Sequence, residues 1–242
     1  GISQNDRFGL NSNGYSTATG MPFPYEGIAQ VSAELEPFDV TYGGFTACNI
    51  NAVTKSGSNE WTGTVFLERT GDQWRGDSLE VNGQAQDYST KGYTEDVKGF
   101  SIGGPILEDK LFFYGAYEES EQPRFLAAGY AGSSNGVERP WLSKENHDRI
   151  EGIAKNLYNY DPGGLPADGT QTDEKYMLRV DWNINEQHDA TVIYNYYDGV
   201  QLRSSDGDDN EFEFATHFYN KGAVSETTTV RLRSQWTDAL SS

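Results

Sequence analysis

The sequence predicts a mainly β architecture of antiparallel strands, and three observations predict it. Segments of roughly ten residues alternate apolar and polar side chains, the period of a strand with two unlike faces. The connections between them alternate between short polar turns and long polar stretches. Aromatic residues, 13 % of the chain, gather in these segments, with 15 Tyr and 5 Trp.

The elements follow in chain order. Residues 1–24 are rich in Gly, Ser and Asn and carry Pro22 and Pro24, which reads as an irregular loop. Residues 28–35 predict a short helical turn leading into a strand, which Pro37 ends. Gly43 and Gly44 mark a tight turn, residues 49–55 a further strand, and residues 56–59 a turn. The first alternating segment is 61–69, with Trp61, Gly63, Val65 and Leu67 opposite Thr62, Thr64, Phe66 and Glu68. The second is 98–107, weakened by Gly103, Gly104 and Pro105. After a polar turn at Glu108, Asp109 and Lys110 comes the third, 111–118. In the fourth, Tyr176, Leu178, Val180, Trp182 and Ile184 oppose Met177, Arg179, Asp181 and Asn183. A second polar turn, 185–188, leads to the fifth, 190–197, with Val192, Tyr194 and Tyr196 on one face. The sixth, 227–236, sets Thr228, Val230, Leu232 and Trp236 against Thr229, Arg231, Arg233 and Gln235. Within the longest connection, Ile150, Ile153, Ala154 and Leu157 recur at helical spacing, and residues 160–164 end that helix.

Short turns on one side, long loops on the other and two-faced strands form the pattern of an outer-membrane β-barrel. A strand in lipid must pair every backbone group with a neighbour, and only a closed barrel leaves no edge. On that reading Arg179, Asp181, Arg231 and Arg233 point inward, and Trp61, Trp182, Trp236 and the tyrosines form interfacial girdles. A soluble antiparallel sandwich also alternates, so the pattern alone leaves both open.

Composition narrows the function classes. There are 18 Lys+Arg against 37 Asp+Glu, a formal net charge of −19. No basic stripe serves a nucleic-acid backbone, so no nucleic-acid partner is expected. The single Cys excludes a disulfide framework within the chain. No apolar run suits a membrane helix. The chain starts at Gly1 without a signal peptide and stops at Ser242 after a strand-like run. It reads as a piece of a longer protein.

Three stretches carry a resemblance. Pro37-Phe38-Asp39-Val40-Thr41-Tyr42-Gly43-Gly44-Phe45-Thr46 runs into Asn49-Ile50-Asn51-Ala52-Val53-Thr54-Lys55-Ser56-Gly57-Ser58-Asn59-Glu60-Trp61-Thr62-Gly63. Phe100-Ser101-Ile102-Gly103-Gly104-Pro105-Ile106-Leu107-Glu108-Asp109-Lys110-Leu111-Phe112-Phe113-Tyr114 is the second, and Asn5-Asp6-Arg7-Phe8-Gly9-Leu10-Asn11 the third. They resemble the Oar-like branch of TonB-dependent outer-membrane receptors, whose members carry a carboxypeptidase-regulatory-like domain. The resemblance implies a plug inside a 22-stranded barrel. Residues 1–58 would be the C-terminal half of the plug, and 59–242 the first six barrel strands with long extracellular loops. It implies the cell outer membrane of a Gram-negative bacterium, contact with its lipid, and binding of an extracellular solute or peptide. Import would draw on the TonB-ExbB-ExbD system through an N-terminal part outside this sequence. It implies no enzyme and no cofactor. Two alternatives stand beside it: a soluble acidic sandwich binding glycans, and an outer-membrane adhesion or structural protein. Cys48 departs from the small residue expected at its place, and packs as a buried thiol.

The candidate site residues are few. Arg7, Phe8, Tyr15, Tyr25 and Phe45 lie in the plug-like part, whose loops hold cargo in the family, although plug packing or a place in a strand accounts for each better. Glu118, Glu119 and Glu121 offer carboxylates, but the adjacent Glu118 and Glu119 point to opposite faces of a strand, which does not suit glycoside chemistry. Residues 206–211 are acidic enough to hold Ca²⁺ but lack the EF-hand spacing. His147, His188 and His217 fall in three different connections, without the spacing of a metal site. Gly103-Gly104 is followed by no phosphate-binding motif, and there is no nucleophile elbow. No catalytic, cofactor or metal residue is assigned.

Overall fold

A computed structural model describes residues 22–35, 48–74, 76, 78–81, 84–87, 92–204, 210–237 and 240–241. Its strands are β1 (Ile28–Leu35), β2 (Cys48–Thr54), β3 (Thr62–Gly71), β4 (Ser78–Val81), β5 (Gln84–Asp87), β6 (Thr94–Leu107), β7 (Leu111–Arg124), β8 (Ala128–Tyr130) and β9 (Val137–Arg139). Helix α1 (Lys144–Tyr158) follows, then β10 (Gly169–Asn185), β11 (His188–Arg203), β12 (Tyr219–Thr237) and β13 (Leu240–Ser241). One antiparallel sheet runs in the order β13-β12-β11-β10-β7-β6-β3. The remaining described strands pair in twos: β1 with β2, β4 with β5, β8 with β9. Among the described residues there is thus one large sheet, open at both edges, and no second large sheet packs on it as a sandwich requires.

The six predicted segments are the six long strands of this sheet, but four of them reach well past the predicted ends. β7 continues to Arg124, β10 starts at Gly169, β11 continues to Arg203 and β12 starts at Tyr219. The cause is physical. Alternation marks only the part of a strand whose two faces meet different media, whereas ladder hydrogen bonds continue where both faces are polar. The two short connections are the predicted ones. Residues 108–110 join β6 to β7 with Asp109 at φ 62°, the left-handed residue of a three-residue hairpin. Residues 186–187 join β10 to β11. The connections 72–93, 125–168 and 204–218 leave the opposite end.

Register aligns side chains into rows across the sheet. One face carries Val65, Phe100, Tyr117, Tyr176 and Tyr196 in one row, and Ile102, Leu178 and Tyr194 in the next. Phe113, Val180, Val192 and Val230 follow, then Leu111, Trp182, Ala190 and Leu232. From Tyr176 to Ile184 this face extends roughly 26 Å along β10, close to the height of the apolar band of an outer-membrane barrel. Aromatic rings edge it at both ends. Phe100 stacks on Tyr117 at 5.7 Å and Tyr176 on Tyr196 at 4.6 Å. Towards the short turns, Trp61 meets Phe113 edge-on at 5.6 Å and Trp236 lies 5.2 Å from His188. Trp182 completes that edge, half exposed.

This apolar face is the exposed one. Val65 and Leu67 are each 81 % exposed and Val230 72 %. The opposite face is polar and buried: Ser101, Glu118, Ser120, Gln171, Asp173, Lys175, Thr191 and Gln201. In water, each large aliphatic side chain left out would forgo about 1.5–3 kcal/mol. The arrangement is stable only with hydrocarbon against the apolar face.

Helix α1 forms where the periodicity predicts. Ser143 caps it by accepting from the Asn146 amide at 3.2 Å. It ends at Tyr158, two residues before the predicted stop, because Asn159 takes the left-handed conformation at φ 52°. Ahead of it, the Glu138 carboxylate accepts from the amides of Gly132 (2.8 Å) and Ser134 (2.9 Å), which hold its carboxyl below the usual carboxylate range.

Two predictions follow from these contacts. A Cβ on Gly57 would stand 2.2 Å from the Phe113 carbonyl oxygen and 2.9 Å from that of Gly104, backbone that cannot swing aside. Gly57→Ala is expected to destabilise the parent protein by about 1–3 kcal/mol in detergent unfolding, with Gly152→Ala in α1 neutral or mildly stabilising. Glu138 has a depressed folded pKa, so its contribution is present above the unfolded value of about 4.3 and lost as pH falls through the folded one. Exchange protection of the Gly132 and Ser134 amides, corrected for intrinsic rates, should hold from neutral to mildly acidic pH and vanish in strong acid.

Candidate functional site: the polar inner wall and the segment seated on it

The polar face is built from opposite charges in register. Lys175 on β10 lies directly across from Glu118 on β7, and Asp173 directly across from Ser120. Lys175 Nζ stands 2.8 Å from Glu118 and 3.1 Å from Asp173, and Ser120 Oγ donates to Asp173 Oδ2 at 2.9 Å. Asp173 and Lys175 share a face because they are two apart on a strand. All four residues are buried.

A second network begins two rows nearer the short turns. Arg179 pairs with Asp181 through two nitrogens at 2.8 and 2.9 Å. Thr191 Oγ1 donates to Asp181 at 2.9 Å, and Arg231 donates to Thr191 at 3.2 Å. Asp181, Thr191 and Arg231 are direct cross-strand neighbours on β10, β11 and β12. Three of the four residues expected inside thus form one chain of charge-assisted bonds.

Residues 25–27 and Thr54 contact this wall. A 3₁₀ turn at Tyr25–Gly27 leads into β1; the helical turn expected within 28–35 lies ahead of that stretch, which is strand throughout. The Tyr25 amide donates to Glu118 Oε2 at 2.6 Å, and Tyr114 Oη donates to the Glu26 carbonyl at 2.7 Å. The Lys55 amide donates to the Gly27 carbonyl, and Lys55 Nζ pairs with Glu26 at 2.9 Å. Arg179 Nη1 donates to the Thr54 carbonyl at 2.8 Å and to its hydroxyl at 3.0 Å. Asn59 and Asp109 then exchange two hydrogen bonds, at 2.7 and 2.8 Å, pinning the link before β3 to the β6–β7 turn. Most of these contacts to the wall use backbone groups of the segment. They depend on its path more than on its side chains.

The sequence-predicted residues are placed unevenly. Arg7, Phe8, Tyr15 and Phe45 lie outside the described residues. So do the Cys48 side chain and residues 206–209 of the acidic run. Tyr25 engages the wall through its backbone, while its ring is 76 % exposed. Glu118 and Glu119 do point to opposite faces: Glu118 meets Lys175, and Glu119 meets Lys98 at 3.2 Å on the outer side. His188 lies at the β10–β11 turn, but His147 and His217, distant in sequence, line one cavity. Their Nδ1 atoms face different carboxylates, Asp148 at 3.2 Å and Glu213 at 3.4 Å. Sequence reasoning missed Glu26, Lys55, Asp173 and Lys175. The Asp173/Lys175 pair lies ahead of the alternating segment that starts at Tyr176, in the part of β10 that carries no alternation, so the pattern did not place it.

The comparisons with known proteins come from two directions. Residues 53–130 match the outer membrane beta barrel domain family. Over 207 residues, 81 % of this chain, the sequence is 29 % identical to the TonB-dependent transporter Oar of Myxococcus xanthus. The chain spans 17 % of that protein's length. No solved structure matches the chain significantly. The chain is therefore a distant relative of a TonB-dependent transporter, and this likeness, with the match of residues 53–130 to an outer-membrane β-barrel domain, assigns it to the outer membrane.

Breaking the wall from within should be costly. Lys175→Met leaves Glu118 and Asp173 buried without a cation, and a destabilisation of about 3–5 kcal/mol is expected. Urea unfolding of the parent protein in detergent checks it, with Lys110→Met at the exposed turn as a near-neutral control.

Proposed function

From a chain distantly related to a transporter and built with a barrel face, we propose that it belongs to an outer-membrane receptor that binds an extracellular solute or peptide and imports it with TonB-transmitted energy. Residues 1–58 are the C-terminal half of the plug, and 59–242 are the first six strands of a plugged, 22-stranded barrel. The observation that carries this reading is the contact of residues 25–27 and Thr54 with a polar, buried strand face whose reverse is apolar and exposed. A polar lumen wall needs a polar occupant, and the segment preceding the first barrel strand supplies one.

The contacts suit a movable occupant. Few of them bury apolar area, and most are hydrogen bonds that water replaces at a net cost of about 0.5–1.5 kcal/mol each. A pull on the plug would exchange them for water one at a time. No bond in the cargo is made or broken.

Deleting TonB in a strain carrying the parent protein tests the reading. Uptake of the cargo should fall to the level of a strain lacking the receptor, with surface binding unchanged. Uptake that persists without TonB, or a parent protein that fractionates as soluble, would contradict it.

A further inference from the structure

The connections β7–β10 and β11–β12 meet around a cavity of about 410 Å³. Its lining includes Trp141, His147 and Ile150 from one connection, and Glu211, Phe212 and Phe214 from the other. His147 is 4 % exposed, on the first turns of α1. Its ring lies 5.1 Å from Phe214, 5.6 Å from Phe212 and 5.3 Å from Tyr130. Its Nδ1 faces Asp148, an acceptor only, so Nδ1 is the ring nitrogen that carries a proton there. Nε2, the ring's other nitrogen, is buried, has no hydrogen-bond partner among the described residues, and is the lone-pair acceptor of the uncharged ring.

The chemistry of the lining selects a ligand. A metal ion on His147, Asp148 and Glu151 is disfavoured, because Lys144 already pairs with Asp148, and Lys155 holds Glu151 at 2.8 Å. Glu213 is engaged by His217. Glu211 at the rim makes no ion pair among the described residues, in a chain of net charge −19. Aromatic faces and a carboxylate with no ion pair among the described residues attract a cation. An unpartnered acceptor asks for an N–H.

We propose that this cavity binds a primary ammonium or guanidinium carried on an apolar body, as in a basic peptide side chain or an aromatic amine. The ligand donates an N–H to His147 Nε2, sets its charge near Glu211, and lays its apolar part against Trp141, Phe212, Phe214 and Ile150. The proposal deepens the receptor reading, which puts these connections outside the cell, but binding needs neither TonB nor import.

The test is calorimetric titration of the full-length parent protein in detergent with two probes, phenethylamine and phenethyltrimethylammonium. They share ring and charge, and only the first has N–H donors. Phenethylamine should bind about tenfold or more tightly than the trimethyl probe. His147→Phe should erase that difference, and Glu211→Gln should weaken both probes. Equal affinities for the two probes on the natural protein, or no binding of phenethylamine at millimolar concentration, would overturn the proposal. The probe comparison needs no variant, so a His147→Phe protein that fails to fold leaves it decisive. Failure here leaves the TonB-deletion result untouched, because no import is read.

Discussion

A strand in hydrocarbon has no water to satisfy its amides, and everything in this chain follows from that constraint. The long strands must pair side by side, so their side chains divide strictly between two media. The residues that would be core in a soluble protein, Val65, Leu67, Val192, Val230 and Leu232, face outward, and the charges Arg179, Asp181 and Arg231 at the same level face inward. The small buried apolar cluster of Tyr114, Ala116 and Met177 lies on the inner face, amid polar neighbours, where the 3₁₀ turn at Tyr25–Gly27 covers it. The aromatic rows mark where the two media meet the headgroups.

An inward wall of charge creates its own requirement. Lys175 is stable between β7 and β10 only because Glu118 and Asp173 surround it. Glu118 in turn accepts from the Tyr25 amide, so wall and seated segment complete one another. The same logic places Arg179, which holds Asp181 on its own strand and reaches the Thr54 carbonyl of β2. The edges of the sheet at β3 and β13 are open, and a barrel domain closes such edges with further strands.

Much of this was legible in the residues, and the reasons are local. Period-two alternation in 176–184 and 227–236 gave both the strands and the side each residue faces. The turns at 108–110 and 186–187 announced themselves by polarity and length. Three features were not legible. Strand ends beyond the apolar band carry no alternation, so β10 and β12 run longer than the pattern indicates. The contacts of residues 25–27 and Thr54 with the wall use mainly backbone amides and carbonyls, which no side-chain pattern reports. The cavity joins His147 to Phe212 and Phe214 across more than sixty residues, and only the return of β11 to β12 beside β10 brings them together.

The central claim is that the apolar face of this sheet meets lipid and the polar face does not. The direct measurement is spin labelling along β10 in the full-length protein reconstituted in bilayers, with Cys48 replaced by Ser. Labels at 176, 178, 180 and 182 should show high collision rates with oxygen and low rates with a polar nickel chelate. Labels at 175, 177, 179 and 181 should be shielded from oxygen, giving a period of two. Equal oxygen accessibility on both faces, or nickel access to the outward positions, would contradict the account.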